Sequence, residues 1–312
     1  MKLSMIVQPF TQRNLDRAAQ VGVEEVVLPY PGPGLQPLLT AKRRVEAAGM
    51  RLTTIERKIP HRRLVHRLPG YEEELAGFQM LLRQMAEAGL NLACYNWMPG
   101  EDWQRTSCTV AARGGALATA FDVAMVGENV TDADGPPAGV TSADQLWENL
   151  KRFLDDVLPV AEAAGVRLAI HPDDPPLSLF RRQPQIITSN AALRRVVELA
   201  PSPTNGICYC VGSLFPAGVD LIAGIRDLAP HIHYVHARNV RGTAERFQET
   251  WHDDGDIDLV AIVRELKRVG FTGSVRPDHA PSMAGESNKT PGYEMLGRLF
   301  AAGYLRGLFQ AA

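Results

Sequence analysis

Along this chain, short stretches of apolar or alternating residues give way repeatedly to longer stretches whose apolar positions recur every three to four residues. The first pattern suits a strand, whose side chains alternate between two faces; the second suits an amphipathic helix. The spacing predicts strands over Lys2–Val7, Glu24–Leu28, Arg51–Ile55, Leu92–Tyr95, Val166–Ile170, Gly206–Cys210, Ile232–His236 and Gly273–Arg276. It predicts helices over Thr11–Val21, Leu35–Ala48, Tyr71–Gly89, Ser142–Ala164, Asn190–Leu199, Gly218–Leu228, Asp258–Gly270 and Gly292–Phe309. The best marked is the helix from Ser142. Leu146, Leu150, Phe153, Leu154 and Val157 fall at helical spacing, Ser142 or Asp144 can cap it, Gly165 stops it, and Pro159 should kink it. The stretch from Asn96 to Thr141 carries neither period and reads as irregular. Within it, 131–139 (TDADGPPAG) reads as a loop tip rather than a domain boundary.

Strands alternating with helices build a parallel sheet, and eight such units close it into an α/β fold of the (β/α)8 TIM-barrel type, here as one domain over residues 1–312. The structural rival, an open doubly wound sheet, lacks the Gly-rich strand-to-helix turn that would support it. A net charge of -2 gives a polyanion nothing to bind, so nucleic acid is not an expected partner. The basic run 57–67 contains Pro60, His61 and His66 and reads as a solvated or substrate-facing loop. No apolar stretch is long enough for a membrane span, and the opening MKLSMIVQPF does not read as a secretory leader, so a cytoplasmic location is expected. In a reducing cytoplasm Cys94, Cys108, Cys208 and Cys210 are thiols or metal ligands, not bridges.

Barrel enzymes place their chemistry at the C-terminal ends of the strands. Strands five to eight end, within two residues, on His171, Cys210, His236 and Asp278, separated by 39, 26 and 42 residues, about one βα unit each. Any one alone is more often a satisfied polar residue or, for a cysteine, a small buried hydrophobe. Four in register aim two imidazoles, a thiolate and a carboxylate at one point, which is a metal site. Cys208, two residues earlier on the same strand face, is expected to stay in the core, as are Cys94 and Cys108; His231 and His233 read as structural.

Seven stretches, CYNWMPGEDWQRT (94–106), HPDDPP (171–176), NGICYCVGS (205–213), HARN (236–239), WHDDGDIDL (251–259), RPDH (276–279) and TPGYEMLGRL (290–299), resemble in the same order those of the mannonate dehydratase family. They cover most of the chain from Cys94 onward. The resemblance implies a fold similar to the xylose-isomerase-like barrels and a divalent metal, usually manganese, held by His171, Cys210, His236 and Asp278. On softness alone the thiolate suits Zn2+, Co2+ or Fe2+. The activity implied is removal of water from D-mannonate to give 2-keto-3-deoxy-D-gluconate, so a small sugar acid is the expected partner. Tyr293, Arg276 and His279 are the candidate proton-handling and carboxylate-binding groups, with the division of labour open. The bland alternative is an ion-pair network closing the last loop.

Arg238 and Asn239, Tyr95, Asn96 and Trp97, and Glu56 are candidates for substrate contact. Asp173 and Asp174 are candidate partners of His171, or loop caps. The chain departs from the family in its fourth βα connection, where 107–141 stands in place of a longer, largely helical insertion, and in a weakly matching N-terminal strand. A metal-dependent sugar isomerase or epimerase, and a sugar-acid-binding barrel without turnover, are the competing readings. A homo-oligomer is compatible with the sequence, the segment 293–312 being where an exposed apolar edge would carry the contact.

Overall fold

The computed structural model describes residues 1–100, 103–127 and 140–312; the loop tip expected at 131–139 lies outside them. Eight parallel strands close into a barrel: β1 (Lys2–Ile6), β2 (Glu25–Leu28), β3 (Arg51–Glu56), β4 (Leu92–Asn96), β5 (Arg167–His171), β6 (Asn205–Cys210), β7 (Ile232–Ala237) and β8 (Ser274–Pro277). Each pairs with its neighbours in chain order, and β8 closes on β1. The predicted strands therefore all form, with ends moved by one or two residues.

The helices form where the period places them. Thr11 caps Gln12–Gln20 and Asp258 caps Leu259–Arg268, each through its side chain. Ser142 and Gln145 form a reciprocal capping box on Ala143–Ala164, and Gly165 ends that helix in the left-handed region. Pro159 is carried inside this 22-residue element. Two helices start later than expected. Asp220 caps Leu221–Leu228, so 218–220 are loop. The last helix is Met295–Ala311, because Thr290–Tyr293 first makes a turn, with Gly292 at φ 76° and the Tyr293 amide donating to the Thr290 carbonyl at 2.8 Å. The outer core between wall and helices is aliphatic, with Phe78, Tyr95 and Phe153 in mutual ring contact.

One expectation is corrected. The stretch after β4 is not irregular throughout: Ser107–Ala111 and Leu117–Asp122 form an antiparallel pair, extended by Arg246–Glu249 and Val240–Gly242 from the connection after β7. This four-stranded cap sheet draws on two segments over a hundred residues apart, so no local period announces it. Among the described residues no helix is long and apolar enough to cross a membrane.

Candidate metal centre and active site

Strand register sets the site. In the barrel wall Asn96 lies opposite His171, Cys210 opposite His236, and His236 opposite Arg276. Donor atoms of His171, Cys210 and His236 consequently lie within 4.8 Å of one another. Asp278, two residues past Arg276, brings Oδ2 to 3.9 Å from Cys210 Sγ. The Ser213 hydroxyl lies 3.2 Å from Cys210 Sγ and 3.3 Å from Asp174 Oδ2. His171 Nδ1 is 2.6 Å from the Pro172 carbonyl, which fixes Nδ1–H and leaves Nε2 as the donor. Three of the four expected ligands thus converge, and Asp278 stands against the Cys210 thiol.

Around this point Glu56, Asp174, Glu249 and Asp278 face Arg105, Arg238 and Arg276, every one of these side chains nearly fully buried. Within that ion-pair network four carboxylates meet three guanidiniums, while Arg57 and Arg298 stand over the neighbouring Tyr293 ring. The mixed set of two imidazoles, one thiolate and one carboxylate fits a transition-metal dication.

Beside the donors runs a hydrogen-bonded chain of titratable side chains. The Tyr293 hydroxyl is 2.9 Å from His279 Nε2, and His279 Nδ1 is 2.7 Å from Glu249 Oε1. Trp103 Nε1 at 3.0 Å and Arg238 Nη1 at 2.8 Å also reach His279 Nδ1. Burial holds His279 below the usual histidine range, against the pull of Asp278 and Glu249, so the neutral imidazole is favoured. Burial pushes the Tyr293 phenol up to about 12, although Arg57, stacked 4.3 Å over its ring, pulls the other way. Gly292 allows the fit: a Cβ there would lie 3.1 Å from His279 Cβ.

A cavity with about 670 Å³ of empty space, partly open to solvent, runs from these groups outward. Glu56, Tyr95, Asn96, Trp97, Arg238, Arg276, His279 and Tyr293 line it, as do Arg57, Lys58, Ile59 and His61 from the start of the basic run; the rest of that run is not the expected loop but the short helix Arg62–His66. Arg276 Nη2 bonds Glu56 at 2.8 Å and Asp278 at 2.8 Å, while its Nε and Nη1 are buried without a partner. Glu56 also lies 3.3 Å from His236 Nε2, and its carboxyl is held at about 2: burial raises it, but Arg276 and His236 outweigh that.

Five expected contributors need separate placement. The Asn239 amide bonds the backbone of His252, Ile257 and Val240, tying down the loop after the cap sheet, so it does not face the cavity. Trp97 donates to the Leu146 carbonyl and so contributes wall, whereas the Tyr95 hydroxyl is buried without a partner. Asp174 pairs with Arg105 and Arg238, and Asp173 accepts from the Ile187 amide; neither bonds His171.

Trp103, Arg105 and Glu249 were not singled out by the strand-end argument, because they sit beside or on the cap sheet. Arg105 clamps Asp174 at 2.7 and 3.0 Å and reaches Glu249 at 2.5 Å, joining that sheet to the barrel mouth. Arg105→Met should therefore leave Asp174 and Glu249 with Arg238 as their remaining arginine and cost about 1–3 kcal/mol of stability, read as the denaturant midpoint at neutral pH. The pair also sets an acid dependence. Arg105 and Arg238 outweigh burial at Asp174, and His279 with the same two arginines outweighs it at Glu249, so both carboxyls are held below their unfolded values. Their stabilisation is thus complete above about pH 4–5 and lost as pH falls through and below that range. Unfolding midpoints from pH 7 down to pH 3 should fall in the parent and fall less steeply in Arg105→Met.

A family model described as D-mannonate dehydratase (UxuA) matches residues 12–134 and 139–312. The mannonate dehydratase of Streptococcus equi subsp. zooepidemicus is 35% identical over 302 residues, covering 89% of this chain and 83% of the relative. Mannonate dehydratase 2 of Halalkalibacterium halodurans is 32% identical over 309 residues, covering 88% and 87%. The crystal structure of mannonate dehydratase from Streptococcus suis serotype 2 superposes with a TM-score of 0.90 at 33% identity, over 100% of this chain and 93% of that one. A D-psicose 3-epimerase from Clostridium cellulolyticum H10 shares the fold alone, with a TM-score of 0.64 at 14% identity.

Proposed function

Since the chain belongs to the mannonate dehydratase family, we propose that it removes water from D-mannonate to give 2-keto-3-deoxy-D-gluconate, with a divalent metal held by His171, Cys210, His236 and Asp278. The observation that carries this reading is the convergence of those donors beside the Tyr293–His279 pair in one cavity. We take the metal to be Mn2+, with Fe2+, Co2+ and Zn2+ as competitors that the thiolate admits. The place is a reducing cytoplasm, in hexuronate catabolism; four free cysteines support the compartment.

The reaction breaks the C2–H and C3–O bonds. The proton taken from C2 and the hydroxide lost from C3 together make water, so no net proton is needed. A bound divalent metal would supply positive charge against the electrons left at C2 beside the carboxylate. Arg276, with two donor nitrogens unpartnered beside the cavity, receives the substrate carboxylate. Tyr293 Oη and His279 Nε2 form a relay that takes up and returns one proton: the phenol stays protonated at neutral pH and donates, while the neutral imidazole accepts. Glu249 fixes the His279 ring from behind, and Arg238, held by Asp174 and Glu249, keeps that assembly rigid.

Product identity is the test. Purified protein with Mn2+ and D-mannonate should yield a 2-keto-3-deoxy acid that gives the periodate–thiobarbiturate colour. A ketose or epimer without that colour would replace the dehydratase by an isomerase. Glu249→Gln should lower kcat by about tenfold or more with little change in KM, because it keeps the shape but loosens the His279 tautomer. A matched change in KM instead would place Glu249 in substrate binding.

A further inference from the structure

The barrel interior holds two thiols that the proposed reaction does not use. Cys94 on β4 and Cys208 on β6 are both buried, with β5 between their strands. Residues two apart on a strand share a face, so Cys208 lies one layer below Cys210, Ala169 below His171 and Tyr234 below His236. In that layer β5 contributes only the methyl of Ala169, and the thiols of its two neighbours approach across it. Cys94 Sγ, Cys208 Sγ and a ring nitrogen of His236 lie within 4.8 Å of one another.

Buried thiols are ordinarily small apolar core residues. Three observations set this group apart. Ligand bonds of about 2.0–2.3 Å put neighbouring donors of one tetrahedral ion roughly 3.3–3.8 Å apart, and these donors, all within 4.8 Å, need move little to reach that. Beside it, Glu56 Oε2 is buried without a hydrogen-bond partner, 3.3 Å from His236 Nε2, and the Tyr234 hydroxyl is likewise unpartnered. Cys94 also lines the cavity, so an ion arriving by the substrate's route meets it.

We infer that Cys94, Cys208 and His236 form a second site, for a thiophilic divalent cation such as Cd2+ or Zn2+, which inhibits the protein by drawing His236 away from the first set. Binding releases one proton from each thiol, and the two thiolates neutralise the dication, so the buried complex gains no net charge. Mn2+, a harder ion, gains little from two thiolates and stays with the mixed set above. The inhibitory half of this inference rests on the dehydratase reading; the binding half does not.

The test is a Cd2+ titration of the Mn2+-loaded protein carrying Cys108→Ser, which removes the partly exposed fourth thiol. The thiolate-to-cadmium absorption and turnover are followed together. A two-thiolate band should develop as turnover stops. Cys208→Ala should keep its basal turnover and need at least about tenfold more Cd2+ for both effects. Cys94→Ala, judged on absorption alone, should lose the two-thiolate band as well, and Cys210→Ala should retain it. Band and inhibition unchanged in both Cys94→Ala and Cys208→Ala, or a band lost in Cys210→Ala, overturn the inference, since cadmium would then be displacing the first metal. A parent without turnover defeats the dehydratase reading, while the absorption series alone decides the site.

Discussion

Replacing Cys210 with serine is expected to strip the protein of its divalent metal and of turnover together. The thiol is fully buried at the meeting point of the donors, within 4.8 Å of His171 and His236 and 3.9 Å from Asp278 Oδ2. A serine hydroxyl there ionises far less readily, so the site keeps one negative charge fewer for a dication. Affinity should fall by more than the roughly 10–100-fold that loss of an outer partner costs. Elemental analysis of dialysed protein, with reconstitution by added Mn2+, reads this directly. Cys208→Ala is the control: one layer deeper in an apolar cluster, it should keep its Mn2+. Equal metal loss in the two variants would mean that the other thiol is the ligand.

Tyr293→Phe should leave the fold and the metal in place and lower kcat by about 100- to 10,000-fold, the usual worth of a positioned acid or base. The ring keeps its packing against His279 at 4.8 Å and under Arg57 at 4.3 Å, so only the hydroxyl 2.9 Å from His279 Nε2 is lost. KM should change little, because Arg276 and the metal set hold the substrate in this reading. Steady-state kinetics on D-mannonate with matched metal content gives the split. A variant with parental kcat would remove Tyr293 from proton handling and leave His279 alone with that task.

The barrel and the neighbourhood of the candidate donors were legible because both follow from local rules. Periods of two and of three to four define eight strands and their helices, and a closed parallel barrel turns strand ends into neighbours whatever the loops do. His171, Cys210, His236 and Asp278 could be picked from position alone for that reason. The Pro291–Gly292 turn behind Tyr293 was equally local. Asp174 was visible only as a residue near His171; its partners Arg105 and Arg238 arrive from other elements.

By itself, then, the sequence determined the (β/α)8 barrel, which residues stand at the ends of its last four strands as candidate donors and, through shared motifs, the family. The tertiary structure decided what surrounds them: that Glu249 backs His279, that Arg105 clamps the cap sheet to the mouth, that Asn239 serves the backbone, and that Cys94 meets Cys208 inside the barrel. The physical reason is range. A strand or helix is written in residues a few positions apart, whereas Arg105 and Glu249 stand 144 residues apart and meet only when two connections pair as an antiparallel sheet over the closed barrel.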